Sequence, residues 1–266
     1  MSWQGEYARD FVLTYYVDFL GFRFAKGSRS ALSDDIVARS QDPFTYVVTP
    51  NVDFATRAAA DSDIARLYCG AAVQLCDSRI LALLAKTKGV ALDCYPGSDL
   101  VADLLAAPGA LRIAAVGPNT EDWTRLTARF PTARLSLIPS TVMEPGDAAW
   151  HIAVQAACEA TWDVLLLCLG SPKQERFAEA LVGSGRDRGI ALCVGASIDF
   201  LTGRQRRAPD WIQAGRLEWL HRLLGNQGGG DRGGRGEEND RHAHQYVPWK
   251  TGDRAGVVRS PDRLKY

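Results

Sequence analysis

A chain of 266 residues can hold one large domain or two small ones with ample core. Its 31 basic and 31 acidic residues cancel, so no global field favours nucleic acid, and any electrostatic function must rest on local clusters. The six cysteines show no C-x-x-C spacing, which argues against a disulfide frame or zinc site and reads as reduced, buried thiols in a cytoplasmic protein.

The start, MSWQGEYARD, lacks a basic region followed by an apolar one, so it does not read as a signal peptide. Residues 11–24 are aromatic but are interrupted by Asp18 and Arg23, too short and polar to span a bilayer. They read as one or two β segments, with contact at a membrane surface as the alternative. From Phe44 onward, β and α patterns alternate. TYVVT at 45–49 is a β-branched strand stopped by Pro50, and 53–67 reads as one Ala-rich helix. Residues 72–76 read as a strand ending at Asp77-Ser78, and 80–85 as a short helix. Gly97-Ser98-Asp99 supplies a cap and an acidic first turn for a helix over 100–106.

LRIAAV at 111–116 is a strand followed by Gly117-Pro118-Asn119-Thr120 and a helix from Glu121; 135–138 is a further strand, and Asp147 caps a helix to about Ala160. DVLLLCL at 163–169 is the near-continuous apolar run of a strand buried on both faces. Residues 190–194 form another strand ending at Gly195, and Pro209 opens a helix to Leu224 with one broad apolar face. Beyond it, residues 225–236 contain seven glycines and the remainder is polar, so 225–266 is expected to be a disordered tail after a domain over 1–224. The repeated β-turn-α units predict an α/β fold: a Rossmann-like parallel sheet flanked by helices, with its site at the carboxyl ends of the strands. Thr49, Asp77, Gly117, Gly170 and Gly195 fall at such ends.

On that rim, Cys168-Leu169-Gly170-Ser171-Pro172-Lys173-Gln174-Glu175 is the richest stretch. Ser171 can cap, Pro172 suits the first helical position, and Gln174 sits at the capping-box spacing. The helix start and Lys173 then offer a phosphate site, although an ordinary capped helix has the same pattern. Asp77 is a candidate general base, or a turn carboxylate. Thr49 and Asn51 offer hydrogen bonds, or serve as caps. Arg204, Arg206 and Arg207, with Arg216 and Arg222, form a basic cluster for a diphosphate or anionic headgroups, or a solvated loop. Asp199 can accept hydrogen bonds from a base or ribose. The D-x-D spacing of Asp61-Ser62-Asp63 follows no strand, and His242 and His244 lie in the polar tail; neither is read as a metal site. There is no Walker motif, G-x-G-x-x-G after a strand, or G-x-S-x-G elbow.

Taken in order, Thr49-Pro50-Asn51-Val52-Asp53, Asp77, Gly97-Ser98-Asp99-Leu100, the Gly170–Glu175 block, and Gly195-Ala196-Ser197-Ile198-Asp199-Phe200-Leu201-Thr202-Gly203 form a familiar series. It continues into Arg206-Arg207-Ala208-Pro209-Asp210-Trp211 and Leu217-Glu218-Trp219-Leu220-His221-Arg222-Leu223-Leu224. The chain resembles the WecG/TagA/CpsF glycosyltransferase family, also called glycosyltransferase family 26, over about 15–224. The resemblance implies a bacterial inverting transferase, peripheral at the inner face of the cell membrane. It would move a sugar from a UDP-sugar to a saccharide on undecaprenyl diphosphate. Known members add N-acetylmannosamine, its uronic acid, or glucose.

The resemblance also makes Asp77 the base and Thr49 and Asn51 a substrate-pocket pair. It puts Gly170, Ser171, Lys173, Gln174 and Asp199 on the nucleotide-sugar side, and no metal or other cofactor is expected. The series departs from the family pattern at Ser78, at Cys94 where members often carry Arg, and in the glycine-rich tail. Those departures keep open a second reading, a catalytically impaired nucleotide-sugar binding protein. Donor sugar and oligomeric state stay open.

Overall fold

The structure, a computed structural model, describes residues 15–107 and 111–204. Arg206 and Arg207, the helix expected at 209–224, the tail and its two histidines lie outside the described residues. The chain opens with a hairpin of β1 (Tyr15–Phe19) and β2 (Phe22–Lys26), then α1 (Arg29–Arg39), β3 (Thr45–Val48), α2 (Val52–Ala60), α3 (Ser62–Cys69) and β4 (Val73–Gln74). Next come α4 (Arg79–Thr87), α5 (Gly97–Ala106), β5 (Arg112–Val116), α6 (Thr120–Arg129) and β6 (Arg134–Leu137). The series closes with α7 (Ala148–Glu159), β7 (Val164–Leu167), α8 (Lys173–Gly183), β8 (Ile190–Cys193) and α9 (Ser197–Leu201).

These eight strands form one sheet in the order β1-β2-β4-β3-β8-β7-β5-β6. Every pairing is parallel except β1 with β2, so the α/β reading holds, with an antiparallel strand at one edge. The central strands read TYVV, VLLL and IALC, and alternate side chains enter two cores. Tyr46, Val48, Leu165, Leu167 and Cys193 meet Phe54 of α2, Tyr68 of α3, Trp150 of α7 and Phe177 of α8. Val47, Val164, Leu166, Ile190 and Leu192 meet Leu32 and Ile36 of α1, Leu100 of α5, Leu126 of α6 and Ile198 of α9.

Several local expectations change. The single helix read over 53–67 is two, broken where Asp61 ends α2 and caps α3, its Oδ1 accepting from the N–H groups of Asp63 (2.8 Å) and Ile64 (3.2 Å). The cap's competing hydrogen bonds override the helical propensity of the alanines. This also gives the D-x-D pair a structural role. Helix α5 starts at Gly97 after Pro96, with no side-chain cap, and Ser98 is buried within it. Helix α1, capped by Ser28, was not marked by any sequence pattern used above. All six cysteines are free; Cys76 and Cys193 are buried, whereas Cys69 is exposed.

The amino-terminal ends of the central strands are tied by charge. Asp163, only 6% exposed, accepts from Arg112 Nη2 at 2.6 Å, Arg112 Nε at 3.0 Å and the Arg112 backbone N–H at 2.9 Å. The Arg112 guanidinium, as the main cause, holds the Asp163 carboxyl below its usual range. Arg186 lies 3.9 Å over the Trp162 ring and donates to the carbonyls of Cys158, Ala160 and Trp162. Gly189 (φ +109°) packs so closely that a Cβ there would come 2.6 Å from Trp162 Cζ3.

Candidate active site

At the other end of the sheet, successive strands end in Asp77 after β4, Thr49 after β3, Gly195 after β8, Gly170 after β7 and Gly117 after β5. At about 4.8 Å per strand, Asp77 stands roughly 14 Å along this rim from the Gly170 turn. Gly117 lets two turns close up: it has φ +106°, and a Cβ would lie 2.6 Å from the Cys168 carbonyl oxygen.

The half-buried Asp77 is fixed through its backbone. Its N–H donates to Pro50 O at 3.0 Å, the preceding Cys76 bridges to Cys94, and Ser78 Oγ caps α4 by accepting from Leu81 N at 3.1 Å. The Cys76 thiol donates to Ser78 O at 3.4 Å; the neighbouring Cys94 pulls the Cys76 thiol down, while Cys76, burial and the nearby Asp77 carboxylate push the Cys94 thiol up. Thr49 is buried and donates to Cys193 O at 3.3 Å, and its side chain packs on the backbone of Gly97. Asn51 takes the capping role: its Oδ1 accepts from the N–H groups of Asp53 (2.9 Å) and Phe54 (3.2 Å).

The β7–α8 turn differs from its reading as a capping box. Pro172 is the cap residue, after a cis Ser171–Pro172 peptide, and no side chain caps the helix. The Ser171 hydroxyl instead shares a 2.9 Å hydrogen bond with Tyr68 Oη, and the Ser171 carbonyl accepts from Arg57 Nη1 at 2.6 Å. Gln174 turns inward. Its Oε1 accepts from the Gly195 N–H at 2.8 Å, and its Nε2 donates to Glu175 Oε1 at 2.8 Å. The Gln174 N–H donates to Gly170 O, and Lys173 Nζ is held by Glu144 (2.6 Å) and Met143 O (2.8 Å). The lysine charge is therefore paired in this state.

Asp199 is half-buried on α9. Burial is the main reason its carboxyl is raised; Arg204 opposes this and Asp122 adds to it. Arg204 Nη1 donates to Asp122 Oδ2 at 2.6 Å, and the buried Asp122 also accepts from Asn119 Nδ2 at 2.7 Å. Beside them, a cleft of about 660 Å³ opens at the ends of β5 and β6, lined by Pro118, Asn119, Thr120, Leu137, Ile138 and Ser140 among others.

The rim thus joins Thr49 to β8, Gln174 to Gly195, and Arg204 to the start of α6. Lys173 points to Glu144. Sequence reasoning gave no role to Asp122, Tyr68 or Glu175. Asn119 and Asp122 did carry a signal, the spacing of a capped helix start, and the Asp122 N–H donates to the capping Asn119 Oδ1 at 2.8 Å. Among the described residues no three His, Cys, Asp or Glu side chains are grouped to hold a metal ion, and no helix is long and apolar enough to cross a membrane.

A family model described as the glycosyl transferase WecG/TagA/CpsF family matches residues 17–227. Among curated proteins, the chain is 33% identical over 67 residues to the N-acetylglucosaminyldiphosphoundecaprenol N-acetyl-beta-D-mannosaminyltransferase of Bacillus subtilis (strain 168). That match covers 24% of this chain and 25% of the relative's length.

Proposed function

The chain belongs to the WecG/TagA/CpsF glycosyltransferase family, and on that premise we propose that it transfers a sugar, with inversion, from a UDP-sugar to a saccharide carried on undecaprenyl diphosphate. The observation that carries this reading is the half-buried Asp77, held by its backbone on the same strand-end rim as the Gly170 and Gly195 turns. Asp77 accepts the proton of the acceptor hydroxyl as that oxygen attacks the anomeric carbon. The bond from that carbon to the diphosphate oxygen breaks, and UDP leaves from the opposite face.

The donor diphosphate lies at the Gly170–Gln174 turn, with Thr49 and Asn51 toward the sugar and the nucleoside toward Asp199 and the cleft beside Asn119. Lys173 exchanges Glu144 for phosphate, and Arg204, Arg206 and Arg207 offset charge growing on the leaving group. No metal is needed where these groups suffice. The prenyl chain of the acceptor stays in the bilayer, so the enzyme works peripherally at the inner membrane face, its basic segment on anionic headgroups.

The test is release of UDP from a panel of UDP-sugars by the full chain with a prenyl-diphosphate-linked acceptor. Turnover with one donor, lost in Asp77→Asn, supports the reading; equal release by that variant overturns the assignment of the base. Cys94, standing where family members often carry Arg, favours the second reading of a nucleotide-sugar binder. Saturable UDP binding with no turnover on any donor would establish that one instead.

A further inference from the structure

Glu175 is the most sealed charged side chain among the described residues, with 0% of its surface exposed. Its Oε1 accepts from Gln174 Nε2, and its Oε2 has no hydrogen-bond partner. The groups around it come from four elements: Tyr46 of β3, Arg57 of α2, Tyr68 of α3 and Cys193 of β8, with Ser171 in its own turn. The one cation among them, Arg57, spends its guanidinium on Ser171 O and on the Asp53 carboxylate. An ionised carboxylate sealed from water with a bare oxygen is far costlier than a neutral acid with an orphaned hydroxyl. Burial accordingly raises the Glu175 carboxyl, against the opposing effects of Gln174, its own N–H, Ser171 and Arg57.

A side-chain amide can turn over, exchanging its oxygen and nitrogen at little intrinsic cost. Gln174 is held one way round because Glu175 takes its NH₂ end while the Gly195 N–H takes its carbonyl end. We propose that Glu175 is a positioning residue: by fixing the Gln174 amide it bolts the Gly170 turn to the Gly195 turn and sets the spacing into which the donor diphosphate fits. This rests on the function proposed above as far as the diphosphate is concerned; the bolt itself is a property of the fold. Glu175 touches no substrate.

The sign of its pH effect follows. A carboxyl whose folded value is raised leaves stability intact below the unfolded carboxyl value, near pH 4, and erodes it as pH rises toward the folded value. The neutral Glu175→Gln side chain keeps a carbonyl for Gln174 Nε2 and escapes that erosion, so its melting temperature should gain on that of the natural chain as pH rises above about 4.

The experiment compares the full chain with Glu175→Gln and Glu175→Ala. Three quantities are read: UDP affinity by calorimetry, melting temperature against pH, and hydrogen exchange of the Gln174 side-chain amide. UDP binding and amide protection should be retained in Glu175→Gln, and Glu175→Ala should show a loss of about tenfold in UDP affinity with exposed exchange. A Gln variant as impaired as the Ala variant in amide protection, or one whose melting temperature does not gain on the natural chain as pH rises, overturns the proposal. Should the Ala variant not fold, the Gln variant still decides. If the natural chain binds no UDP, the functional reading fails separately, while the exchange still judges the bolt.

Discussion

The two ends of the central strands use charge in opposite ways. At the amino-terminal end, Arg112 is spent on Asp163, and Arg186 on the Trp162 ring and three carbonyls. The turns there are packed until Gly189 alone fits. At the carboxyl end, glycines at 170 and 195 leave room above the strands, and Asp77 is anchored there by its main chain. One end converts charge into rigidity; the other keeps backbone fixed and leaves Asp77 and Asp199 half-buried. On the function proposed above, stability and chemistry fall at different ends of the same strands, as expected for parallel α/β sheets.

Substitutions at the two ends should separate cleanly. The largest effect expected is on turnover: Asp77→Asn should lower kcat by about 10³-fold, the scale of a lost general base, with a melting temperature close to that of the natural chain. Steady-state UDP release beside a thermal melt checks both halves, and a large fall in melting temperature would blur the division. Next comes Gly189→Ala, which forces a methyl group toward Trp162 at a positive φ and should cost about 3 kcal/mol in denaturant unfolding. Its activity per folded molecule should be unchanged.

Asp163→Ala should cost about 2 kcal/mol at pH 7, for hydrogen bonds lost by an ionised acceptor. Because the folded Asp163 carboxyl is held low, its contribution is present above the unfolded value near pH 4 and lost as pH falls through the folded value. The gap between the two unfolding curves should therefore close in acid. Smallest is Arg66→Ala, which breaks an exposed pair with Glu179 and should leave the melting temperature within error.

The strands were legible because their chemistry is local: VLLLCL at 164–169 is apolar throughout, and the sheet buries both faces of 164–167. The helix starts at Asn119 and Asp147 were legible for the same reason, since each cap bonds within three residues. Asp61 hid among alanines, where propensity and capping compete and only the closed hydrogen bonds show which wins. Gln174 carried the spacing of a capping box, yet spacing does not encode direction. Its partner Gly195 is 21 residues away, across two strands that only the fold makes neighbours. Glu175 lay within the quoted motif but had no signal of its own, because a carboxyl's burial depends on Tyr46, Arg57 and Tyr68 far along the chain. The strand-end placement of Asp77 was readable. Its anchoring to Pro50 was not, since that bond joins neighbouring strands.

The alternation of side chains along the central strands has a thermodynamic corollary. Leu165 and Leu166 are adjacent in the chain but belong to different cores, and so do Val47 and Val48. The sheet is thus a common wall, and melting either flank would strip it on one side. For the described body, calorimetry should then record a single endotherm whose van't Hoff and integrated enthalpies agree, and a cavity cut on one flank should lower that one peak without splitting it.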